Sequence, residues 1–487
     1  MKKRVTLQKT LKPHWVWAIA LGSSIGWGAF VQPIDWMQTA GPLGVIIGFS
    51  IGALLMMLIA VSYGILIRKF PVSGGEFAYA FISLGRTHAF ISGWFLTLGY
   101  ICIVALNASA FALMIKFVFP SVIENIYMYS LAGWDVYGVE IIIATGSLIV
   151  FGYLNMRGTG LTGRVQFIFA TLMVVAVLVL TFLVGIQPGA GLSSVTPLFP
   201  TDKTSLAAIL SIVAIAPWAY VGFDAIPQAA EEFNFPARKA FTLIIFALIF
   251  AAGVYSLMIL ATSMAMPWEQ VASEGHLWGT AHVIQEVLGT LGLVILVTAL
   301  CMGVFTGLNG FIMSSSRLMF AMSRAKILPE AFGKVHPTYK TPHVAIIFTV
   351  ILSSIAPWFG RAALIWVVDM SSIGVSIAYL YTCFTAYQLF KWNQSEVTDP
   401  KVQFVSPSKK IISLVGVFAS ITFIGLLLTP GSPAFLGLES RIALLIWIVI
   451  GLIFYFIKRK EYNRIPEEEM NYMIVGKKEP IDLGDNK

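Results

Sequence analysis

Residues 21–30 read LGSSIGWGAF, with three glycines and two serines in ten positions. Gly22, Ser24 and Gly26 fit the G-x-S-x-G pattern of serine hydrolases, in which a sharp turn between a strand and a helix exposes the serine. Here the pattern lies inside a long apolar stretch that is typical of a helix. A hydrolase also needs a histidine near the serine, but the six histidines fall at predicted span ends or in loops: His14, His88, His276, His282, His336 and His343. The glycines therefore need another explanation.

The composition places this stretch in a lipid bilayer. Of 487 residues, 57% are hydrophobic and only 11% are charged, less than half of the roughly 25% found in soluble domains. About twelve apolar segments are long enough to cross about 30 Å of hydrocarbon as helices, and the alternation of membrane strands is absent. We therefore predict an all-α membrane protein with spans near residues 14–38, 43–67, 88–118, 138–156, 163–187, 205–230, 240–265, 289–320, 343–360, 363–390, 411–430 and 440–457.

The placement of lysine and arginine predicts that both termini are cytoplasmic. With that orientation, the Lys and Arg residues that fall on the outer side are Lys116, Lys203, Arg361 and Arg441, out of 32 in the chain. Topology then explains the net charge of +8, and no nucleic-acid partner is expected. The three cysteines lie singly in separate spans, and the sequence has no CxxC and no His/Cys cluster, so we predict no disulfide, metal site or cofactor. The expected location is the cell membrane.

Two predicted spans look interrupted. The first carries the glycines described above, and the sixth reads SIVAIAPWAYVGFDAIPQAAEE over residues 211–232. Proline removes a helical N–H, and clustered glycines weaken a helix. Each interrupted span begins a set of five, and since five is odd, the second set would run in the opposite direction to the first. Such inverted repeats with paired broken helices are typical of secondary transporters, whereas kinks or close packing are the alternative for either span alone.

The predicted organisation therefore has five parts. The tail has a polar, mixed-charge composition that predicts loose order. The parts are a cytoplasmic N-terminus (1–13), a first five-helix repeat (14–187), a second, inverted repeat (205–390), two additional membrane helices (411–457) and a cytoplasmic tail (458–487).

A broken helix inside a bilayer has free backbone groups that must meet protein, water or a ligand. The half that restarts after the break offers N–H groups that suit a carboxylate, and the half that ends before it offers carbonyls that suit an ammonium group. A zwitterionic amino acid matches both ends. We expect the substrate to contact Ser23, Ser24, Ile25, Gly26, Trp27, Gly28, Asn107, Trp218, Tyr220, Val221 and Asp224.

Asp224 is an acid predicted to lie near the bilayer centre. A charge there costs about 2.5–3.5 kcal/mol on insertion scales, which makes the residue a functional candidate; the alternative is a protonated acid bonded to nearby backbone. Asp35 and Asp369 are expected nearer the outer surface, in water. The aromatic residues of the sixth span either cover a ligand or only pack, and Asn107 either faces the cavity or bonds a neighbouring helix. Residues 158–164 have P-loop glycine spacing without its lysine, so transport would be secondary or facilitated.

Four segments resemble the amino acid–polyamine–organocation superfamily, especially its bacterial and cationic amino-acid transporter branches. They are GSSIGWGAF (22–30), FPVSGGEFAYAF (70–81), YVGFDAIPQAAEEFNFPAR (220–238) and residues 307–342, within a likeness that covers roughly residues 12–390. The resemblance implies the LeuT-like fold of ten core helices, here with two more, and a substrate between the first and sixth spans. It also implies a carboxylate on the amides of Gly26, Trp27 and Gly28, and an amine on carbonyls near Ser24, Trp218 and Val221.

The resemblance further implies a gate at the ring of Trp218 and gate or structural positions at Glu231, Glu232 and Arg317. Two features depart from the family pattern. Trp27 stands where members usually have a small residue, and similar sequences in ethanolamine-permease-like relatives favour an amine without a carboxylate. Met173 stands where some members carry a lysine in the sodium site, whereas Thr306 could serve a sodium site, so the coupling ion is left open between a proton and sodium.

We therefore predict a secondary active transporter, a symporter or exchanger, that moves amino acids and is not an enzyme. The alternative is an amine or polyamine permease of the ethanolamine type. A third possibility is a sensor or scaffold that binds a ligand without transporting it.

Overall fold

The computed structural model describes residues 4–131, 134–360, 362–392, 407–432 and 434–476. Within these ranges the chain is almost entirely helical. The helices are α1 (Pro13–Ile25), α2 (Gly28–Val31), α3 (Pro33–Lys69), α4 (Gly75–Leu84), α5 (Arg86–Val118), α6 (Pro120–Ile123), α7 (Gly138–Met156), α8 (Thr159–Gly185), α9 (Ser205–Ala219), α10 (Ala225–Gln228), α11 (Arg238–Ala265), α12 (Trp268–Glu274), α13 (Gly279–Arg324), α14 (His343–Ser353), α15 (Ala362–Trp392), α16 (Pro407–Leu428), α17 (Leu438–Arg464) and α18 (Glu467–Val475).

Helices occupy each of the predicted spans. In the described residues, nine helices are long and apolar enough to cross a membrane, and two shorter apolar helical segments cover residues 205–219 and 343–359. Two of the long helices bend at a glycine with positive φ, at Gly41 (φ 69°) and Gly289 (φ 64°). Because glycine adopts this conformation without steric cost, the chain changes direction there, close to the predicted span boundaries.

The outer faces of these helices are apolar and exposed. Phe182 of α8 is 66% exposed and Ile457 of α17 is 72% exposed, and similar side chains surround the bundle. Soluble proteins rarely expose apolar surface so extensively, whereas a bilayer requires it. The fold is that of an all-α, multi-pass membrane protein.

Two local features differ from the sequence prediction. A short antiparallel hairpin, β1 (Tyr127–Leu131) with β2 (Trp134–Tyr137), lies between α5 and α7. Aromatic and β-branched residues favour strands, and this segment is rich in them. It is too short to have been recognised beside the long apolar runs.

The prediction of a loosely ordered tail is wrong for the part that the structure describes. α17 continues to Arg464, and α18 packs Met470 and Ile474 into the protein. These residues recur at helical spacing within a segment that is polar on average. The side chain of Arg4 donates to the carbonyl of Met473 at 3.1 Å, which ties the N-terminal segment to α18. Residues 477–487 lie outside the described ranges.

Candidate transport site

Both predicted interruptions are present. α1 ends at Ile25, Gly26 has φ 55°, and α2 begins at Gly28. In the sixth span α9 ends at Ala219, and α10 begins five residues beyond Tyr220. Gly222 lies in that turn with φ 131°, and a Cβ atom on it would lie 2.5 Å from the carbonyl carbon of Ser23. Only glycine allows the two breaks to touch in this way.

A cavity of about 30 Å³ lies between the two breaks. That volume holds one or two waters, so an amino acid requires the cavity to widen. Nine of the predicted contact residues line it: Ser23, Ser24, Ile25, Gly26, Trp27, Gly28, Asn107, Trp218 and Val221. Its other walls are Ile103, Leu106, Ala219 and Tyr255.

Polar groups without partners surround this cavity. The hydroxyls of Ser23 and Ser24, the indole N–H of Trp27 and the Oδ1 of Asn107 are buried and have no hydrogen-bond partner among the described residues. Most buried polar groups in proteins are paired, and each unpaired one costs about 1–3 kcal/mol. Four residues that line this one cavity therefore carry unpaired polar groups.

The backbone at the first break is also incompletely bonded. The amide of Gly26 donates to the carbonyl of Gly22 at 3.3 Å, whereas the amide of Trp27 has no backbone acceptor in the part of the chain that the structure describes. An N–H group at the start of a half-helix attracts negative charge. Among the amides expected to hold a carboxylate, that of Trp27 therefore lacks a backbone acceptor, whereas that of Gly26 is already engaged.

Tyr255 of α11 is a site residue that the sequence did not reveal. Its hydroxyl lies 2.8 Å from the carbonyl of Ala219 and 3.1 and 3.2 Å from those of Ser24 and Ile25. The Tyr255 hydroxyl therefore lies between the ends of both broken helices. Because it has one proton, it donates to one of these carbonyls at a time. The available signal was a lone tyrosine within the apolar span 240–265.

Tyr220 and Asp224, which the sequence predicts as substrate contacts, do not line this cavity. The hydroxyl of Tyr220 donates to the carbonyl of Phe49 at 2.8 Å. The carboxyl of Asp224 accepts the amide of Gly222 at 2.7 Å and the hydroxyl of Tyr100 at 2.8 Å. Both side chains point into the surrounding helices and brace the second break, because their polar atoms find protein partners there.

Glu76 is a second buried acid, and nothing in the sequence singled it out as a site residue. It is fully buried at the start of α4, where its carboxyl accepts the hydroxyl of Tyr63 at 2.8 Å and the side-chain amide of Gln228 at 2.5 Å. In the described part of the chain no salt bridge reaches it. Gln228 belongs to α10, so Glu76 attaches α4 to the half-helix that follows the second break.

A larger cavity of about 480 Å³ lies on the other side of a tryptophan pair. Trp27 and Trp218 line both cavities and meet edge to face with their ring centroids 6.3 Å apart. We call this cavity the outer vestibule, after the orientation predicted from the sequence. It is bordered by the carboxylates of Asp35 and Asp369, and no Lys or Arg lines it among the described residues. Its aromatic lining consists of Trp27, Trp36, Phe117, Trp134, Trp218 and Trp278.

Buried ion pairs close the opposite end of the molecule. The guanidinium of Arg317 contacts Glu232 at 2.8 Å, with side chains 1% and 2% exposed, and Thr159 bonds to both. Glu231 pairs with Arg324 at 2.7 Å and with Arg4 at 2.6 Å. We call this layer of ion pairs the inner seal, again after the orientation predicted from the sequence.

Burial by itself would raise the pKa of Glu231, but the charges and hydrogen bonds of Arg324 and Arg4 outweigh it, so the pKa lies below its ordinary value. A lowered folded-state pKa stabilises the fold above the unfolded pKa of about 4.3 and loses that effect as the pH falls through the folded value. We expect Glu231→Gln to lower the melting temperature by a constant amount between about pH 8 and about pH 6. The difference between the two melting temperatures should begin to shrink below about pH 4 and disappear only once the pH falls below the folded-state pKa of Glu231. A difference that grows towards acid pH would contradict this assignment.

The fifth span makes a polar connection to its neighbours. The side-chain amide of Gln166 donates to the carbonyls of Ala18 (3.3 Å) and Thr306 (3.1 Å). The hydroxyl of Thr306 donates to the carbonyls of Gly22 and Gly303. Met173 is buried two turns further along α8. The side-chain amide of Gln166 in α8 therefore links α1 to α13 beside the first break.

A bundle of apolar helices that encloses a cavity between two broken helices is typical of a membrane transporter. The chain belongs to the amino acid permease family, which matches residues 15–469. It is therefore an amino acid transporter and not an enzyme, as the sequence predicted.

Individual relatives cover almost the whole chain. A branched-chain amino acid permease of Bacillus subtilis is 26% identical over 476 residues, 94% of this chain and 95% of the relative. A methylthioribose transporter of the same organism is 25% identical and covers 95% of both chains. An aromatic amino acid transport protein of Escherichia coli O157:H7 is 24% identical, with 93% of this chain and 96% of the relative covered.

Proposed function

We propose that this protein is a secondary active transporter of the cell membrane that binds a neutral, apolar amino acid between its two broken helices. The observation that carries the proposal is the set of unpaired polar groups around the central cavity, at Ser23, Ser24, Trp27 and Asn107. In this proposal the termini are cytoplasmic. The fold is LeuT-like, with inverted repeats over residues 14–187 and 205–390 and two further helices over 411–457.

The walls of the two cavities support this substrate class. The outer vestibule combines aromatic rings with two carboxylates, which suits an ammonium group through cation–π and charge attraction. The central cavity has apolar walls at Ile103, Leu106 and Val221, and no acid lines it among the described residues. A second ammonium group would have no partner there, which argues against a polyamine.

The two ends of the protein suggest which state of the transport cycle the structure represents. A wide vestibule reaches the Trp27–Trp218 pair from one side, while the inner seal closes the other. We infer an outward-facing arrangement in which the tryptophan pair must part to admit substrate and the inner seal must break to release it. Alternating access of this kind is general for inverted-repeat transporters.

Trp218 is the proposed outer gate, so we expect Trp218→Ala to impair uptake about tenfold or more while expression and folding persist. The ring separates the two cavities but is only half-buried, and its loss removes the partition rather than a core side chain. Initial rates in proteoliposomes and melting temperatures measure the two effects. Trp358→Ala, at an exposed site outside both cavities, is the matched control. Unchanged uptake kinetics in Trp218→Ala would remove this residue from the gate.

Gln166 bears on the coupling ion. Its side-chain amide donates to the carbonyls of Ala18 and Thr306, and Thr306 is the residue that the sequence analysis gives as a candidate for a sodium site. We therefore expect uptake to change less than about twofold when Na⁺ is replaced by K⁺ at constant ionic strength. A loss of tenfold or more in K⁺ would show that sodium binds despite Gln166.

The proposed function is tested with purified protein in liposomes. We expect counterflow of labelled leucine that excess unlabelled leucine drives and that 3-methylbutylamine, its decarboxylated analogue, does not inhibit. Inhibition by the amine would favour the amine permease. Binding of leucine in thermal-shift assays without counterflow would favour the sensor, and neither binding nor flux for any amino acid would reject the proposal.

A further inference from the structure

The side chains of Glu274, His276 and His282 meet at the loop between α12 and α13. α12 ends at Glu274, and Gly275 turns the chain in the left-handed conformation (φ 68°). His276 follows in the loop, and His282 lies in the first turn of α13. The sequence shows no metal-binding motif here, because the three residues are spread over nine positions and only the turn brings them together.

The ligand atoms of this triad converge on one carboxylate oxygen. The Nε2 of His276 lies 2.7 Å from Oε2 of Glu274, and the Nε2 of His282 lies 3.8 Å from the same oxygen. The two imidazoles are stacked, with centroids 3.7 Å apart and an interplanar angle of 20°. All three side chains are about one-third exposed, so an ion in the surrounding water can reach them.

Two imidazole nitrogens and one carboxylate oxygen form a donor set that suits Zn²⁺ and related divalent transition metals. With metal–ligand bonds of about 2.1 Å, neighbouring donors of a tetrahedral site lie about 3.4 Å apart. The two observed separations from Oε2 lie on either side of that value, so small side-chain rotations would complete the geometry. We propose that Glu274, His276 and His282 form a binding site for a divalent transition metal ion, with the fourth position open to water.

The position of the site gives the ion a mechanical effect. Leu277 and Trp278 lie between the ligands and line the outer vestibule. The indole N–H of Trp278 donates to the carbonyl of Phe30 in α2 at 2.9 Å, and its ring packs against Phe117. A bound ion fixes the loop to α13 and so holds Trp278 against the half-helix beyond the first break. The consequence for uptake rests on the proposed function, whereas metal binding does not.

Titration calorimetry of the full chain in lipid nanodiscs tests the site with Zn²⁺ as the probe. We expect one saturable Zn²⁺ site that Mg²⁺ in excess does not displace. The double variant His276→Ala/His282→Ala should bind Zn²⁺ more weakly by on the order of 10-fold or more. His88→Ala, at a histidine of α5 that bonds to Tyr381 and does not belong to this triad, should bind like the parent. Equal binding by the double variant, or no Zn²⁺ binding by the parent, would overturn the proposal.

A second readout separates this proposal from the proposed function. Zn²⁺ should slow leucine uptake by the parent protein and leave uptake by the double variant unchanged. If the parent binds Zn²⁺ through these residues but moves no amino acid at all, the metal site stands and the proposed function fails. If uptake is normal and Zn²⁺ affects both proteins equally, the link from this site to Trp278 is wrong.

Discussion

Gly222→Ala is expected to abolish transport, lowering uptake by about 100-fold or more. At φ 131° an alanine is strained, at a cost of order 1–3 kcal/mol, and its Cβ would lie 2.5 Å from the backbone of Ser23. The clash can be relieved only if the backbone at Gly222 or at Ser23 shifts, and such a shift separates the two breaks. The cavity that lies between them therefore loses its geometry even if the helices remain folded.

The control for this experiment is Gly253→Ala in α11, where an added Cβ meets no atom within 4 Å and the backbone conformation is ordinary. Expression and melting temperature of both variants are measured beside leucine uptake. Gly253→Ala should behave like the parent or be slightly more stable, because alanine is the better helix former. Parent-like uptake by Gly222→Ala would show that contact between the breaks is not required.

Arg317→Ala is expected to produce the largest loss of stability, about 3–5 kcal/mol in the free energy of unfolding. The variant leaves the carboxylate of Glu232 buried without its 2.8 Å partner, and an unpaired buried charge costs more than the pair itself contributes. The inner seal should also open, because the only other partner shown for the side-chain carboxylate of Glu232 in the described residues is the hydroxyl of Thr159.

The double variant Arg317→Met/Glu232→Leu separates stability from gating. Replacing a buried ion pair by apolar residues is often neutral or stabilising, so the double variant should regain most of the lost melting temperature. It should not regain normal transport if the pair is a gate. Labelling of Ser73→Cys in a cysteine-free background reports opening, since Ser73 is buried beside Glu231 in the closed seal. Recovery of both stability and transport would make the pair purely structural.

The sequence predicted the two helix breaks because their causes are local. Glycine and proline disturb a helix wherever they stand, so Gly26, Pro217 and Gly222 could be recognised one stretch at a time. The same locality placed the spans, since each depends on a continuous apolar run of sufficient length. Most residues of the central cavity then followed from their nearness to a break.

What the sequence could not show depends on contacts between distant segments. Tyr255 reaches both breaks from α11, and Glu76 bonds to Gln228 from α4, but neither residue stands out from its own neighbours. The sequence also could not tell that Tyr220 and Asp224 point away from the cavity, because the direction of a side chain in an irregular turn depends on the particular backbone angles. The sequence did not predict α18, because its few apolar residues are buried only through packing against distant segments such as α13.

In the proposed function an amino acid binds where two interrupted helices meet. A structure determined with saturating leucine tests it most directly. We expect ligand density between residues 23–28 and 218–221, with the carboxylate on the amide of Trp27 and the ammonium group near the carbonyls that Tyr255 contacts. Leucine bound elsewhere, with the hydroxyls of Ser23 and Ser24 still unpaired, would contradict it.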